Sequence, residues 1–358
     1  MDQEITIIGG GIIGMLTARE LHLNGFKVTL LERGQLGYEA SWAGGGILSP
    51  VYPWHEPDSV NQLVAWSQQH YQTLCQTIRE ESGVDPEWTQ CGLLTLDIAE
   101  QAQIQSWANH WNISTTLIQP HHEQWPHGLS GESGFYLPKT AQVRNPKLMQ
   151  GLRFYLRKLG VTIKENCEIT KLLIRNGSIA AIITKNQKFP VRQVVVAAGA
   201  WSGQFLESID IQIPITPVRG QIIAFKGDPQ LLSKIVVAQG HYLIPRMDGH
   251  ILAGSTIEHQ GFNKSTTQRA QEELQEFSYS FMPCLQSLPI VYHWAGLRPG
   301  SPRGIPYIGA VPDIEGFYLN AGHFRNGIVT APASARLLTD IILQRDSILD
   351  PTPYALDR

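Results

Sequence analysis

The chain has 358 residues, 42% hydrophobic and only 16% charged, enough to bury more than one core and too apolar for an intrinsically disordered chain. Its 28 Lys+Arg against 31 Asp+Glu give a net charge of −3, no basic run interleaves with aromatics, and no apolar span is long enough for a bilayer. Nucleic-acid and membrane partners are therefore not expected, and a small molecule is the ligand class that remains.

The opening MDQE runs into an apolar strand without a basic leader, which reads as a cytoplasmic protein. That strand (Ile5, Thr6, Ile7, Ile8) is followed by a glycine turn (Gly9, Gly11, Gly14), a helix over residues 13–24, and a second strand, residues 27–31, closed by Glu32. Gly9 permits the tight turn, Gly11 lets backbone approach a pyrophosphate at the helix N-terminus, and Gly14 lets the helix lie close on the strand. Glu32 stands 32 − 14 = 18 residues past the last glycine, near the spacing at which a carboxylate reaches ribose hydroxyls. The unit therefore binds a dinucleotide with an unphosphorylated ribose, FAD or NAD rather than NADP.

Next comes ASWAGGGILSP from Ala40, whose three glycines exclude a stable helix interior and leave bare amides for a ligand edge. An aromatic, proline-punctuated loop follows, then helices over residues 59–82 and 98–111 and short strands near residues 92 and 134. His121, His122 and His127 read as solvated residues of a polar loop. From residue 145 the pattern returns to βαβ character, with a helix over 146–159, strands near 161, 169 and 179, and the run QVVVAAGAWS. That run suits a fully buried parallel strand whose carboxyl end meets a ligand. Residues 213–292 switch to short alternating strands with turn residues between them, an antiparallel sheet with a helix over 266–282. Glycine and proline return in WAGLRPG from Trp294, and NAGHFRNG leads into a last helix over 331–344, a second place where a helix N-terminus can meet an anion. Cys75, Cys91, Cys167 and Cys284 are too far apart for a redox or metal motif and read as buried reduced thiols, with no metal expected.

IIGGGIIG with Glu32, QVVVAAGAWS, WAGLRPGSPRGIPYIG and NAGHFRNGIVTAP together resemble the D-amino-acid oxidase family of FAD enzymes along essentially the whole chain. The nearest likeness is to its glycine-oxidising branch, associated with thiamine thiazole synthesis. The resemblance implies an α/β fold: a Rossmann-like FAD-binding domain (1–84, 140–212, 293–358) with an inserted, mainly antiparallel β-sheet substrate domain (85–139, 213–292). It places Gly9, Gly11, Ile12, Ile13, Gly14, Glu32 and Arg33 at the adenosine and phosphate end of non-covalent FAD. Ala40, Ser41, Gly45, Gly46 and Ile47 would follow toward the flavin, with Ile169 and Gly199 in contact from the middle of the chain. His323, Phe324, Arg325, Asn326, Gly327, Ile328 and Val329 would pass the far side of the ring.

The implied activity is oxidation of glycine or another small amino acid or amine (sarcosine, D-alanine, D-proline) by hydride transfer to flavin. The imine would hydrolyse to an oxo acid and ammonia, and molecular oxygen would be reduced to hydrogen peroxide by a homo-oligomeric enzyme. On the same resemblance Arg298 pairs with the substrate carboxylate, a role its planar fork suits. Tyr242 hydrogen-bonds that carboxylate, and Arg325 lies near the amine. The chemistry needs no catalytic acid or base, although His323 and His241 are candidates. Trp42, Tyr52 and Trp54 depart from the small and polar residues of that branch, and are expected to narrow the substrate pocket or wall it with apolar surface. Two other readings remain at this point: a dehydrogenase of the same fold passing electrons to a quinone or carrier, and a non-catalytic nucleotide-binding module.

Overall fold

The computed structural model describes residues 3–358. A six-stranded sheet orders its strands Tyr307–Ala310, Phe317–Ala321, Val194–Val196, Glu4–Ile8, Lys27–Leu31 and Thr162–Lys164, all parallel except the first. The two-residue period of a strand decides its packing. Ile5, Ile7 and Val195 face a core shared with helices Ile12–Leu23, Asp58–Ser82, Asn145–Leu159 and Gly327–Ile342. Ile8, Val194 and Val196 face the opposite side, toward Leu172, Ile179 and Ile182. Val194–Val196 is thus buried on both faces, as the β-branched run predicts.

Three elements differ from the sequence expectation. Ile169–Arg175 and Ser178–Thr184 do not extend the βαβ pattern; they pair antiparallel in a separate three-stranded sheet. Asn176 and Gly177 between them both take positive φ (50° and 74°), the conformation of a type I′ hairpin turn. WAGLRPG, for all its glycine and proline, belongs to a strand. Ile290–Gly300 pairs along its length with Thr216–Lys226, from Thr216↔Gly300 to Phe225↔Ile290, so the second sheet continues past residue 293.

The last helix is Gly327–Ile342, beginning four residues before Ala331 with Pro332 inside it. Proline cannot donate to the carbonyl four residues back. Here the Ile328 carbonyl accepts from Tyr71 Oη (2.7 Å), and the Ala333 amide donates to Ser67 Oγ (3.0 Å).

The second sheet has eight strands, in the order Ile290–Gly300, Thr216–Lys226, His250–Gly254, His241–Pro245, Ile235–Ala238, Leu93–Thr95, Gly134–Leu137 and Thr116–Ile118. It is antiparallel except where Ile235–Ala238 runs parallel to Leu93–Thr95. Ile223, Phe225 and Leu243 pack toward helix Gln268–Phe281, while Ile222, Tyr242 and Ile244 point the other way, toward Ile47. The pleat thereby turns Tyr242 to the first sheet.

The cysteine expectation holds in part: Cys75 is buried, Cys91 and Cys167 are half-buried, and Cys284 is exposed in the short turn Pro283–Ser287. His121, His122 and His127 are exposed. Among the described residues no helix is long and apolar enough to cross a membrane.

Candidate active site

A cavity of about 470 Å³ runs along the carboxyl ends of the parallel strands, beginning at the glycine turn. Gly9 takes φ 111°, and a Cβ there would stand 2.3 Å from the Ala197 carbonyl oxygen. A Cβ on Gly14 would stand 1.9 Å from the Gly9 oxygen, so Gly14 supports the turn from beneath and does not line the cavity. At Gly11 a Cβ would meet only Ser41 Oγ, at 3.2 Å; its other side is open. The amides of Gly11, Ile12 and Ile13 lie at the start of a twelve-residue helix, where donors lack intrahelical partners and the dipole favours an anion. Ser41 Oγ takes the Ile12 amide at 2.9 Å and ties Ala40–Ala43, a single helical turn ending at Gly44, to the phosphate end.

Glu32 is held by two amides, Gly10 N on Oε2 (2.7 Å) and Gly34 N on Oε1 (2.8 Å), leaving each oxygen a further lone pair for the cavity. Arg33 lies 3.6 Å over the Trp201 ring beside it. Ile169 and Gly199 line the same cavity from the middle of the chain. Its other end is walled by His323, Phe324, Arg325, Gly327 and Ile328. Asn320, which sequence reasoning missed, also lines it; its amide donates to Thr17 and Ser334, but its buried Oδ1 has no partner, and neither does Arg325 Nη2.

A smaller cavity of about 90 Å³ adjoins this end, and the two share Ala40, Gly44, Arg298, Arg325 and Ile328. Gly45, Gly46, Ile47, Asn326 and Val329 line this one rather than the large one, together with Tyr242. The glycine run is fastened by buried Arg246, which donates to Gln142 Oε1 (2.6 Å) and to the carbonyls of Val143 (2.9 Å) and Gly45 (2.7 Å).

Arg298 has no carboxylate partner among the described residues. Its guanidinium donates to the Thr256 carbonyl (3.0 Å) and Ser255 Oγ (2.7 Å), while the nearby Glu258 is paired with Arg219 at 2.5 Å. Burial pushes the Arg298 pKa down, to about 10, so the charge persists at neutral pH. The Tyr242 ring packs against Gly254, where a Cβ would stand 2.8 Å away, and its hydroxyl has no protein partner among the described residues. The cavity thus presents two arginines and no acid.

Neither histidine is placed as a base. His323 is buried and its Nε2 lies 3.0 Å from Ser334 Oγ; that hydroxyl donates to the Thr330 carbonyl, so the imidazole is the donor in this pair. Burial pushes its pKa to about 3 and keeps it neutral. His241 lines neither cavity. Trp42, Tyr52 and Trp54 are also absent from the small cavity, contrary to expectation. Tyr52 donates to Asp97 Oδ2 (2.7 Å) and accepts from the Gly240 amide (2.6 Å), Trp54 bonds Glu100 and packs on Trp107, and Trp42 packs edge-on to Trp294. The apolar wall is made instead by Ile47, Val51, Ile222, Ile328 and Val329.

A family model described as FAD dependent oxidoreductase (DAO) matches residues 4–341. The chain belongs to that family. A DAO-family relative, the glycine oxidase of Pseudomonas aeruginosa, is 44% identical over 359 aligned positions covering 99% of both chains. The glycine oxidase of Pseudomonas putida is 42% identical, covering 99% of this chain and 98% of its own. The solved structure of glycine oxidase from Geobacillus kaustophilus superposes with a TM-score of 0.93 over 99% of each chain; at 24% identity this likeness establishes the fold alone. The cofactor of this DAO-family chain is FAD. The residues present fit it: a long cavity that starts at a helix N-terminus and a ribose-spaced carboxylate and ends at orphaned buried polar atoms of Asn320 and Arg325.

Proposed function

We propose that this protein catalyses the oxidative deamination of glycine or another small amino acid or amine, with FAD in the large cavity and the substrate carboxylate against Arg298 in the small one. The observation that carries this reading is a half-buried cation without a carboxylate partner at the seam of the two cavities. A charge withdrawn from water without a counter-ion is costly, and a carboxylate ligand relieves it with two parallel hydrogen bonds. The names of the two Pseudomonas relatives support the same substrate class.

In this reading Glu32 takes the ribose hydroxyls, the amides of Gly11 and Ile13 face the phosphates, and Arg33 with Trp201 flanks the adenosine end. His323 to Ile328 wall the flavin end, with Asn320 Oδ1 and Arg325 Nη2 available to polar atoms of the ring system or substrate. FAD when bound supplies the two-electron acceptor and passes the electrons to molecular oxygen, giving hydrogen peroxide. Arg298 and the free hydroxyl of Tyr242 bind and orient the carboxylate. Arg298 and Arg325 together disfavour an ammonium group, so the substrate amine is held neutral, the form that can leave as an imine and hydrolyse to oxo acid and ammonia. The small, apolar-walled cavity lies far below the roughly 300–1,000 Å³ of pockets for drug-sized ligands, which limits the side chain.

Anaerobic mixing of the FAD-loaded protein with glycine, sarcosine, D-alanine and D-proline tests this. Glycine is expected to bleach the flavin absorbance, with peroxide formed in proportion when air is admitted. Bleaching by none of the four would overturn the proposal, and bleaching without peroxide would favour the dehydrogenase reading.

A further inference from the structure

We propose that Ser255 is a further substrate-binding residue, donating its hydroxyl to the carboxylate that Arg298 takes. The inference deepens the reading above and rests on it. Ser255 is 3% exposed and lines the small cavity beside Arg298 and Tyr242. Its Oγ accepts from Arg298 Nη2 at 2.7 Å. A hydroxyl has two lone pairs and one proton; the arginine occupies a lone pair, and the proton reaches no acceptor among the described residues.

Neighbouring hydroxyls differ. Thr256 donates to Glu258 Oε1 (2.6 Å), Ser301 to the Gly322 carbonyl (2.6 Å) and Ser334 to the Thr330 carbonyl (2.9 Å). A buried donor left without an acceptor is destabilising, and such groups are rare outside sites that await a ligand. The cavity it faces has two cations and no acid, so the ligand atom it meets is an anionic oxygen, an acceptor.

The position of Ser255 is also well fixed. Strand pairing sets Gly254 opposite Tyr242, which brings the Tyr242 ring beside the serine. The Gln221 amide donates to Thr256 Oγ1 at 2.9 Å, and Glu258 exchanges both backbone hydrogen bonds with Arg219 (2.9 Å each). Three donors from separate strands and loops, Arg298, Tyr242 and Ser255, therefore converge on a carboxylate, whose two oxygens offer about four lone-pair sites.

The test uses acetate, the smallest stable carboxylate with a methyl group, titrated into FAD-loaded protein and followed by perturbation of the flavin absorbance. Ser255→Cys keeps the shape and weakens the donor; Ser255→Ala removes it. Both are expected to raise the acetate Kd and the glycine KM about tenfold, since a hydrogen bond to a charged group is lost, with kcat within about twofold because the chemical step is untouched. FAD content and melting temperature should stay at the unaltered values in Ser255→Cys, which serves alone if Ser255→Ala loses FAD. Unchanged acetate affinity in both serine variants, alongside loss in Arg298→Ala, would overturn the proposal and leave the carboxylate reading standing. Unchanged affinity in Arg298→Ala as well would overturn that reading and this proposal with it.

Discussion

Gly220 shows how a residue without a side chain shapes the proposed substrate site. The Arg298 head lies directly over it, and a Cβ at 220 would stand 2.1 Å from Nη1 and 2.3 Å from Cζ. The guanidinium ends a flexible side chain, so it can swing aside while the paired strands stay. Gly220→Ala is therefore expected to keep the fold and FAD while moving the charge off the Thr256 carbonyl and Ser255. Steady-state kinetics should show the glycine KM raised about tenfold or more, as misplacement of a positioning group predicts; an unchanged KM would mean the guanidinium does not bind substrate there. From sequence, VRGQ reads only as part of a strand. GLRPG singles out Arg298 through the family resemblance, but the glycine beneath its head depends on cross-strand pairing, Gly220 with Gly296, 76 positions later. Ser255 was illegible for the same reason, since a proton without an acceptor is a property of the folded neighbourhood.

At the scale of elements, the last helix gives the sharpest case. The sequence reading starts this helix near residue 331, yet it begins at Gly327, and Tyr71, 257 positions earlier, donates to the carbonyl that Pro332 leaves free. Tyr71 is fully buried in helix Asp58–Ser82. Tyr71→Phe keeps the ring and strands the Ile328 carbonyl, so unfolding should become easier by about 1–3 kcal/mol. Ile328 also lines both cavities, so the loss should reach the site as a weaker hold on FAD, measured by cofactor release on dilution. A variant as stable as the unaltered protein would show that the helix does not need this bond. Strongly periodic elements such as Asp58–Ser82 and Asn145–Leu159 needed no such help and were legible within a residue or so. Tyr52 and Trp54 were misplaced because apolar character alone does not say where an aromatic packs, while hydrogen bonds to Asp97, Gly240 and Glu100 decide it; Trp42 is exposed against Trp294, whose indole donates to the Ala43 carbonyl.

For the whole molecule, both sheets present one face to a shared seam, and the residues there carry charge that must stay hidden from water. The glycine turn, Glu32 and the NAGHFRNG segment announce that seam in the sequence; its closure by Arg246, and the bond from Asn320 to Thr17, do not show until the chain is folded. One consequence is a pH dependence of stability in which histidines dominate above the carboxylate range. Burial lowers His323, His241 and His293; Glu273 partly opposes the shift at His241. A folded-state pKa below the ordinary 6.5 means the unfolded chain binds protons first, so the stabilisation is complete above about pH 6.5 and is lost as pH falls. Glu258, lowered on balance because its bonds from Arg219, Thr256 and Gln221 outweigh burial, adds a loss of the same sign only below about pH 4.5. Glu56, raised by burial, acts with the opposite sign, so a variant rather than the raw curve carries the test. His323→Gln keeps a donor for Ser334 Oγ and removes the titration. The melting temperature of the FAD-loaded protein should fall between pH 7.5 and 5, and fall less steeply in His323→Gln, by up to about 1.4 kcal/mol per pH unit below 6.5. Equal slopes would mean that His323 accepts a proton in the folded protein, and would reopen its assignment as a neutral donor to Ser334.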